Sequence, residues 1–85
     1  MDPYKIIKYP LSTEKSIRLM ESQNKLIFVV DIKADKKMIK NAIENMFKAE
    51  VEGVMTYVYG GEKRAYVKFS NKTPAIDIAT QLGLM

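Results

Sequence analysis

The sequence predicts an α+β fold: a four-stranded, mainly antiparallel sheet with packed helices, in the order β-α-β-α-β-β-α. Residues 25–32, KLIFVVDI, are apolar at nearly every position and rich in β-branched side chains, which predicts a central strand covered on both faces. Apolar residues at helical spacing then predict a helix over 36–48. Two alternating segments meet at Gly60-Gly61, which predicts a hairpin over 51–70 with a two-residue turn.

Shorter elements precede the central strand. YKIIKYP predicts an edge strand that ends at Pro10, because proline cannot donate to a strand ladder. STEKSIRLMES predicts a short helix with Ser12 or Thr13 as its N-cap. Asn24 then marks the turn out of this helix.

Two further helices follow the central strand. The helix over 36–48 begins after Asp35, which is well placed as its N-cap. Its apolar positions are assigned to the core: Met38, Ile39, Ala42, Ile43, Met46 and Phe47. Near the C-terminus, Thr73-Pro74 opens a short helix that ends at Gly83.

The predicted turn sets the register of the hairpin. It pairs Tyr57 with Arg64, Met55 with Tyr66, Thr56 with Ala65 and Val54 with Val67. One face then carries Val54, Thr56, Val58, Ala65, Val67 and Phe69. The opposite face, which we call the tyrosine face, carries Met55, Tyr57, Tyr59, Arg64, Tyr66 and Lys68. Because a slip of one residue would mix these two sets, the register is well specified.

Length and charge narrow the class of protein. Eighty-five residues predict one domain over 1–85, and a hydrophobic content of 47% is normal for a globular protein. No apolar run approaches the ~18–20 residues that a membrane span needs, and no secretory apolar segment stands at the start, so we expect no membrane insertion. The net charge of +4 permits a polyanionic partner without requiring one.

Histidine and cysteine are both absent from the sequence. Their absence removes the commonest general base, the best nucleophile and the usual ligands of transition metals. No glycine-rich phosphate loop of the Walker or dinucleotide-binding type is present. We therefore expect no catalytic residue, no metal site, no cofactor and no enzymatic activity.

Four lysines crowd the start of the predicted helix over 36–48, and we call Lys33, Lys36, Lys37 and Lys40 the lysine cluster. Backbone N–H groups already concentrate positive partial charge there, so each cation is unfavourable by ~0.3–1 kcal/mol at low salt. One interpretation is a solvated surface. The other is a phosphate site, where the helix dipole, free N–H groups and ammonium groups act on one anion. Unfavourable charges that nothing visible compensates tend to occur at functional sites, which favours the phosphate-site interpretation.

The tyrosine face also has two interpretations. Its tyrosines can stack on bases while its cations hold phosphates, which makes Tyr57, Arg64, Tyr66 and Lys68 candidates for RNA contacts. The alternative is cross-strand packing under the C-terminal helix, with a cation–π contact between Tyr57 and Arg64.

Four stretches, in order, resemble the universal large-subunit ribosomal protein twenty-three family. IIKYPLSTEKSIRLME resembles the family's opening, in which Lys, one residue, Pro and two apolar residues precede Thr-Glu-Lys. KLIFVVDIKADKKMIKNAIENMFKAEVEGV resembles its strand, basic connection and helix. KRAYVKFS resembles its last strand, and AIDIATQLGLM its compact archaeal-type C-terminus. The likeness covers nearly the whole chain.

The resemblance implies a structural rRNA-binding protein of the cytoplasmic ribosome, beside the exit of the polypeptide tunnel. The implied partners are large-subunit rRNA, neighbouring ribosomal proteins, and exit-site factors such as the signal recognition particle. Lys8, Thr13 and Lys15 would fall in the rRNA-facing opening motif, and Glu14 near the factor-docking surface. Lys33, Lys36 and Lys40 would fall in the basic start of the helix. Arg18 shares a helix face with Lys15. Arg18 and Lys37 complete the set of rRNA-binding candidates.

Two departures from the family concern the hairpin. The family has Val-Asn-Thr where this chain has Val54-Met55-Thr56, and its Pro-Lys-Gly type loop is reduced here to Gly60-Gly61. Long bacterial tunnel extensions are missing, which suits the archaeal type. The resemblance therefore predicts an archaeal-type member with an altered hairpin. A protein-interaction module without RNA, using the hairpin edge and the tyrosine face, is the alternative function.

Overall fold

The computed structural model describes residues 3–83 and confirms the predicted α+β class and element order. Its strands are β1 (Ile7–Pro10), β2 (Lys25–Val30), β3 (Val51–Tyr59) and β4 (Glu62–Phe69). Its helices are α1 (Pro3–Ile6), α2 (Glu14–Gln23), α3 (Lys36–Phe47) and α4 (Ala75–Gln81). The four strands form one antiparallel sheet in the spatial order β1-β2-β4-β3.

The first strand is shorter than predicted, because the chain before Ile7 forms the short helix α1. A continuous strand would place the neighbouring Ile6 and Ile7 on opposite faces of the sheet. The change from helix to strand between them lets both side chains enter the core, where both are buried. Burial of this isoleucine pair therefore outweighs the strand pattern of the segment.

Both long helices begin at the predicted caps. The Thr13 hydroxyl accepts a hydrogen bond from the backbone N–H of Ser16 at 3.2 Å, and the Ser16 hydroxyl accepts one from the Thr13 N–H at 2.8 Å. These reciprocal bonds form a capping box for α2. At α3, the Asp35 carboxylate accepts from the backbone N–H of Met38 at 2.8 Å.

The hairpin has the predicted register, including the pairs of Tyr57 with Arg64 and Thr56 with Ala65. Gly60 and Gly61 form its turn with φ of 54° and 83°, a conformation that L side chains rarely adopt. The strand β2 lies between β1 and β4, and its last five residues are buried, as expected of a central strand.

The two faces of the sheet differ in what covers them. On one face, Phe28, Val67 and Phe69 pack in one core with Ile39 and Ile43 of α3. On the other face, Ile27 pairs with Tyr66 and Val29 pairs with Arg64, so these residues share the side of the tyrosine face. The helix α3 therefore covers one side of the sheet and leaves the tyrosine face on the other. Within residues 3–83, no helix is long and apolar enough to cross a membrane.

Candidate nucleic-acid interface

The lysine cluster surrounds the N-terminus of α3, and all four of its side chains are exposed. Lys36 and Lys40 are four residues apart and are neighbours on the helix surface. Among residues 3–83, side-chain ion pairs join Arg18 to Glu14 and Arg64 to Glu62, and neither pair involves the cluster. Its positive charge is therefore not neutralised by a direct carboxylate contact within the described chain.

Two aspartates nevertheless lie at this end of α3. Asp35 caps the helix through the N–H of Met38, and the Asp31 carboxylate accepts a hydrogen bond from the backbone N–H of Lys33 at 2.8 Å. Asp35 offsets part of the unfavourable interaction between the lysines and the helix dipole. It also occupies the position where the free N–H groups would receive a phosphate. A phosphate at this surface is therefore expected to contact the lysine ammonium groups rather than the helix amides.

A fifth lysine, Lys63 of β4, reaches the start of α3. It was not among the candidates predicted from the sequence. Its ammonium group donates a hydrogen bond to the carbonyl oxygen of Ala34 at 2.6 Å. Lys63 pairs with Val58 across the hairpin, so its side chain lies on the side of the sheet that α3 covers. Extending the predicted register by one more pair toward the turn would have assigned Lys63 to that side.

The tyrosine face is exposed at its centre. Tyr57 packs edge-on against Tyr66, with ring centroids 5.2 Å apart, and lies 6.2 Å from the ring of Tyr59. The guanidinium group of Arg64 lies over Tyr59, 5.1 Å from the ring centroid, rather than over Tyr57 as the packing interpretation required. Tyr57 is 41% exposed and Tyr59 47% exposed, so neither ring is covered by a helix. The Tyr57 ring is therefore available to a flat ligand, whereas Arg64 occupies one face of the Tyr59 ring.

A network of hydrogen bonds fixes one side of the tyrosine face. The Tyr9 hydroxyl donates to one oxygen of the Glu62 carboxylate at 3.1 Å, and the Arg64 Nε–H donates to the other at 2.9 Å. Two hydrogen bonds lower the pKa of Glu62: the one from Arg64 has the larger effect and the one from Tyr9 the next largest. The bond to Glu62 in turn raises the pKa of Tyr9. Tyr9 and Glu62 were not among the sequence candidates. The network holds the Arg64 guanidinium in place beside Tyr59.

The Arg64→Gln substitution is expected to raise the pKa of the Glu62 carboxyl toward its ordinary value. A lowered folded-state pKa contributes stability above the ordinary carboxyl pKa, and this contribution is lost as the pH falls through the folded value. Replacing Arg64 therefore reduces the stabilisation at neutral pH that comes from this carboxylate. Carbon-detected NMR titration of the Glu62 carboxyl measures the shift. Lys68→Gln removes a cation from the same face without touching Glu62 and should leave that pKa unchanged.

The residues of the opening motif divide into three groups. Lys15 and Lys8 adjoin the tyrosine face: the Lys15 ammonium lies 3.3 Å from the Tyr66 hydroxyl oxygen, and Lys8 is close enough to lower the pKa of Glu62. Thr13 uses its hydroxyl to cap α2. Arg18 and Glu14 form an ion pair of 2.6 Å on the surface, with side chains 75% and 81% exposed.

A groove of about 210 Å³ adjoins the tyrosine face, lined by Lys25, Gly53, Val54, Met55, Tyr66 and Lys68. Lys25 and Lys68 stand directly opposite each other on β2 and β4. Like charges at opposed positions of neighbouring strands destabilise a sheet, so an anion between them would be favourable. Lys25 is a second cation that the sequence candidates omitted.

The structure separates the two groups of candidates. The lysine cluster lies at the end of α3, on the helix-covered side of the sheet, whereas Tyr57, Arg64, Tyr66 and Lys68 lie on the opposite side. Lys8 and Lys15 join the second group. Among residues 3–83, no group of three or more acidic side chains is placed to hold a metal ion. The molecule therefore offers two separate cationic surfaces rather than one continuous site.

Comparison with known families gives a match over most of the chain. The family model described as ribosomal protein L23 matches residues 5–80 of the chain. The match extends from α1 to α4 and includes every strand of the sheet. Proteins of this family are structural constituents of the large ribosomal subunit rather than enzymes. The chain belongs to the ribosomal protein L23 family and is therefore a large-subunit protein of the cytoplasmic ribosome.

Proposed function

We propose that this protein binds rRNA near the exit of the polypeptide tunnel and offers a docking surface to factors that meet the nascent chain. The observation that carries the proposal is the lysine cluster. Within the described residues its four exposed ammonium groups lack a carboxylate partner, and Lys63 adds a fifth cation at the carbonyl of Ala34. Such a surface is stabilised when phosphates supply the missing negative charge.

The two cationic surfaces suit different parts of RNA. The lysine cluster presents exposed cations that match the phosphates of a backbone. The tyrosine face combines open rings with Arg64 and Lys68, which suits unpaired bases together with their phosphates. Because they lie on opposite sides of the sheet, we propose that they contact two different rRNA segments. The protein would then hold those segments at a fixed separation.

The docking surface is proposed to lie at the start of α2. Glu14 and Arg18 present one exposed charge of each sign there, with no burial to hold them in place. An exposed ion pair contributes little to stability, so a partner can exchange it for new contacts at small cost. Neighbouring ribosomal proteins and exit-site factors such as the signal recognition particle are the proposed partners. The two-residue turn at Gly60-Gly61 supports an archaeal-type member with a shortened hairpin.

A salt titration tests rRNA binding directly. Affinity for large-subunit rRNA is expected to fall steeply with salt, with roughly 0.7–0.9 units of log–log slope for each neutralised phosphate. A control RNA of equal length and unrelated sequence should bind more weakly at every salt concentration. Equal affinity for both RNAs, or a slope near zero, would contradict the proposal.

The Tyr57→Ala substitution is expected to weaken rRNA binding by about 1–3 kcal/mol, because loss of a stacking ring removes a contact of that size. The slope of affinity against salt should stay unchanged, since Tyr57 carries no charge. Tyr57→Phe keeps the ring and serves as the matched control, with binding close to that of the unmodified protein. Weakening by both variants alike would indicate that the hydroxyl, rather than the ring, makes the contact.

A protein-interaction module without RNA is the second candidate, favoured by the exposure of Tyr9, Met55 and Val58 beside the hairpin. Tyrosine and arginine are frequent energetic centres of protein interfaces. Affinity capture with and without nuclease separates the candidates. Protein partners recovered equally after complete RNA digestion, together with no measurable affinity for purified rRNA, would support the second candidate.

A further inference from the structure

We infer that the exposed edge of β3 pairs with the same edge of a second copy of this chain, giving a symmetric antiparallel dimer of the RNA-free protein. The strand β3 hydrogen-bonds to β4 on one side and stands at the end of the sheet on the other. This inference concerns an interface between proteins and does not depend on the proposed rRNA contacts.

The two ends of the sheet are protected to different degrees. At one end, β1 has four residues, includes Lys8, is irregular between Ile7 and Tyr9, and ends at Pro10. Short length, irregular register, charge and proline all discourage a further strand from pairing. At the other end, β3 has nine residues, and its irregularity is confined to its start, between Val51 and Gly53. From Gly53 onward its register is regular, and no strand among the described residues pairs with its free side.

The hairpin register identifies the free backbone groups. The two-residue turn makes Tyr59 and Glu62 a hydrogen-bonded pair, and hydrogen-bonded pairs then recur at every second residue along β3. Tyr57 and Met55 therefore bond to β4. The N–H and C=O groups of Val54, Thr56 and Val58 point away from β4, toward the open edge. Six backbone groups in a row are available to another strand.

The side chains of this edge favour a second copy as its occupant. Residues 53–59, GVMTYVY, contain no charge and no proline, so two identical edges can approach without opposing like charges. Met55 is 51% exposed and Val58 60% exposed, and pairing of two edges would cover both. A partner bearing acidic or basic side chains would find no complementary charge within this segment.

Symmetry specifies the register of the dimer. A two-fold axis through Thr56 pairs that residue with Thr56 of the partner subunit as a hydrogen-bonded pair. Val54 then pairs with Val58 of the partner subunit, and the six outward groups of each copy meet in register. This interface is isologous, so it closes after two copies rather than continuing into a fibre.

A single-cysteine experiment tests this register, because the chain contains no cysteine of its own. In the proposed dimer the two Thr56 Cα atoms lie ~5.5 Å apart, within the range that a disulfide spans. Mild oxidation of Thr56→Cys is therefore expected to give a covalent dimer. Val58→Cys is the matched control: it stands on the same edge, but its two Cα atoms lie about 14 Å apart and cannot join. Equal cross-linking of both variants, or of neither, would overturn the proposal.

Sedimentation velocity of the RNA-free protein provides an independent measurement. The unmodified protein is expected to dimerise reversibly with concentration, and added salt should leave the dimer unchanged or tighten it, because each copy carries +4. Val58→Lys places a charge on the edge and should give a monomer, whereas Val58→Thr should retain the dimer. A monomer at every concentration, or a dimer that persists in Val58→Lys, would contradict the inference. Both results are independent of rRNA affinity.

Discussion

Changing Lys36 and Lys40 to glutamine is expected to reduce the salt dependence of rRNA binding by about 1.4–1.8 units of log–log slope. The two side chains are neighbours on the exposed surface of α3 and form no ion pair among the described residues. Each is proposed to neutralise one phosphate, so removal of both releases two fewer counterions. Adding Lys37→Gln to the variant should reduce the slope further by a similar amount per residue.

The same variant should fold at least as well as the unmodified protein. Lys36 stands in the first turn of α3, where a cation interacts unfavourably with the helix dipole, and its removal is expected to leave the free energy of unfolding unchanged or raise it by up to about 1 kcal/mol. Urea denaturation measures this quantity. Weaker binding together with undiminished stability would show that these lysines serve RNA rather than the fold.

A charge-matched control is available at the far end of α3. Lys48 and Lys72 are exposed and lie beyond the C-terminus of the helix, in the connections that precede β3 and α4. Their double change to glutamine removes the same net charge and should alter the slope by much less. If the two double variants reduced the slope equally, net charge alone would account for binding, and the assignment to the lysine cluster would be wrong.

The hairpin shows how much a local pattern can predict. Its register follows from alternation on both sides of Gly60-Gly61, and every pair predicted from the sequence is present, including Met55 with Tyr66. Such a prediction needs only the turn and the period of a strand. The cap of α3 at Asp35 is predictable for the same reason, since the residues that make it are neighbours in sequence.

The sequence did not predict the features that depend on contacts between residues far apart in the chain. Lys63 reaches the start of α3 only because β4 and α3 pack on each other, and Tyr9 reaches Glu62 only because β1 lies beside β2. The spatial order β1-β2-β4-β3 decides which strands are neighbours, and the sequence order does not specify it. The lysine cluster is separated from the tyrosine face because α3 packs on the side of the sheet that carries Val67 and Phe69.

A second large effect is expected at Asn24, where substitution by alanine should lower the free energy of unfolding by about 2.5–6.5 kcal/mol. Asn24 ends α2 in the left-handed conformation, with φ of 56°. Its side-chain NH₂ group lies within 3.1 Å of the carbonyl oxygens of Phe69, Ser70 and Thr73. Its side-chain oxygen accepts a hydrogen bond from the backbone N–H of Ala75 at 2.6 Å. One residue therefore joins the end of α2, the end of β4 and the start of α4.

The size of the effect follows from adding these contributions. The NH₂ group has two hydrogens, so it satisfies the equivalent of two of the three carbonyls at a time. Two such bonds and the bond to Ala75 together contribute roughly 1.5–4.5 kcal/mol, at about 0.5–1.5 kcal/mol each. Alanine at a left-handed position adds a further cost of about 1–2 kcal/mol. A protein of 85 residues has little stability in reserve, so this variant should be close to unfolded at 37 °C.

Two further variants separate the causes. Asn24→Gly loses the hydrogen bonds but tolerates the left-handed backbone, so its loss of stability should be smaller than that of alanine by about 1 kcal/mol. Asn24→Asp keeps the acceptor for Ala75 and loses both donors, so the Ala75 amide should remain protected from hydrogen exchange even as the global stability falls. If the alanine and glycine variants lost the same free energy of unfolding, the left-handed backbone would contribute nothing to the effect of alanine. Rapid exchange of Ala75 in the aspartate variant would mean that the amide donors, rather than the bond to Ala75, hold α4 against β4.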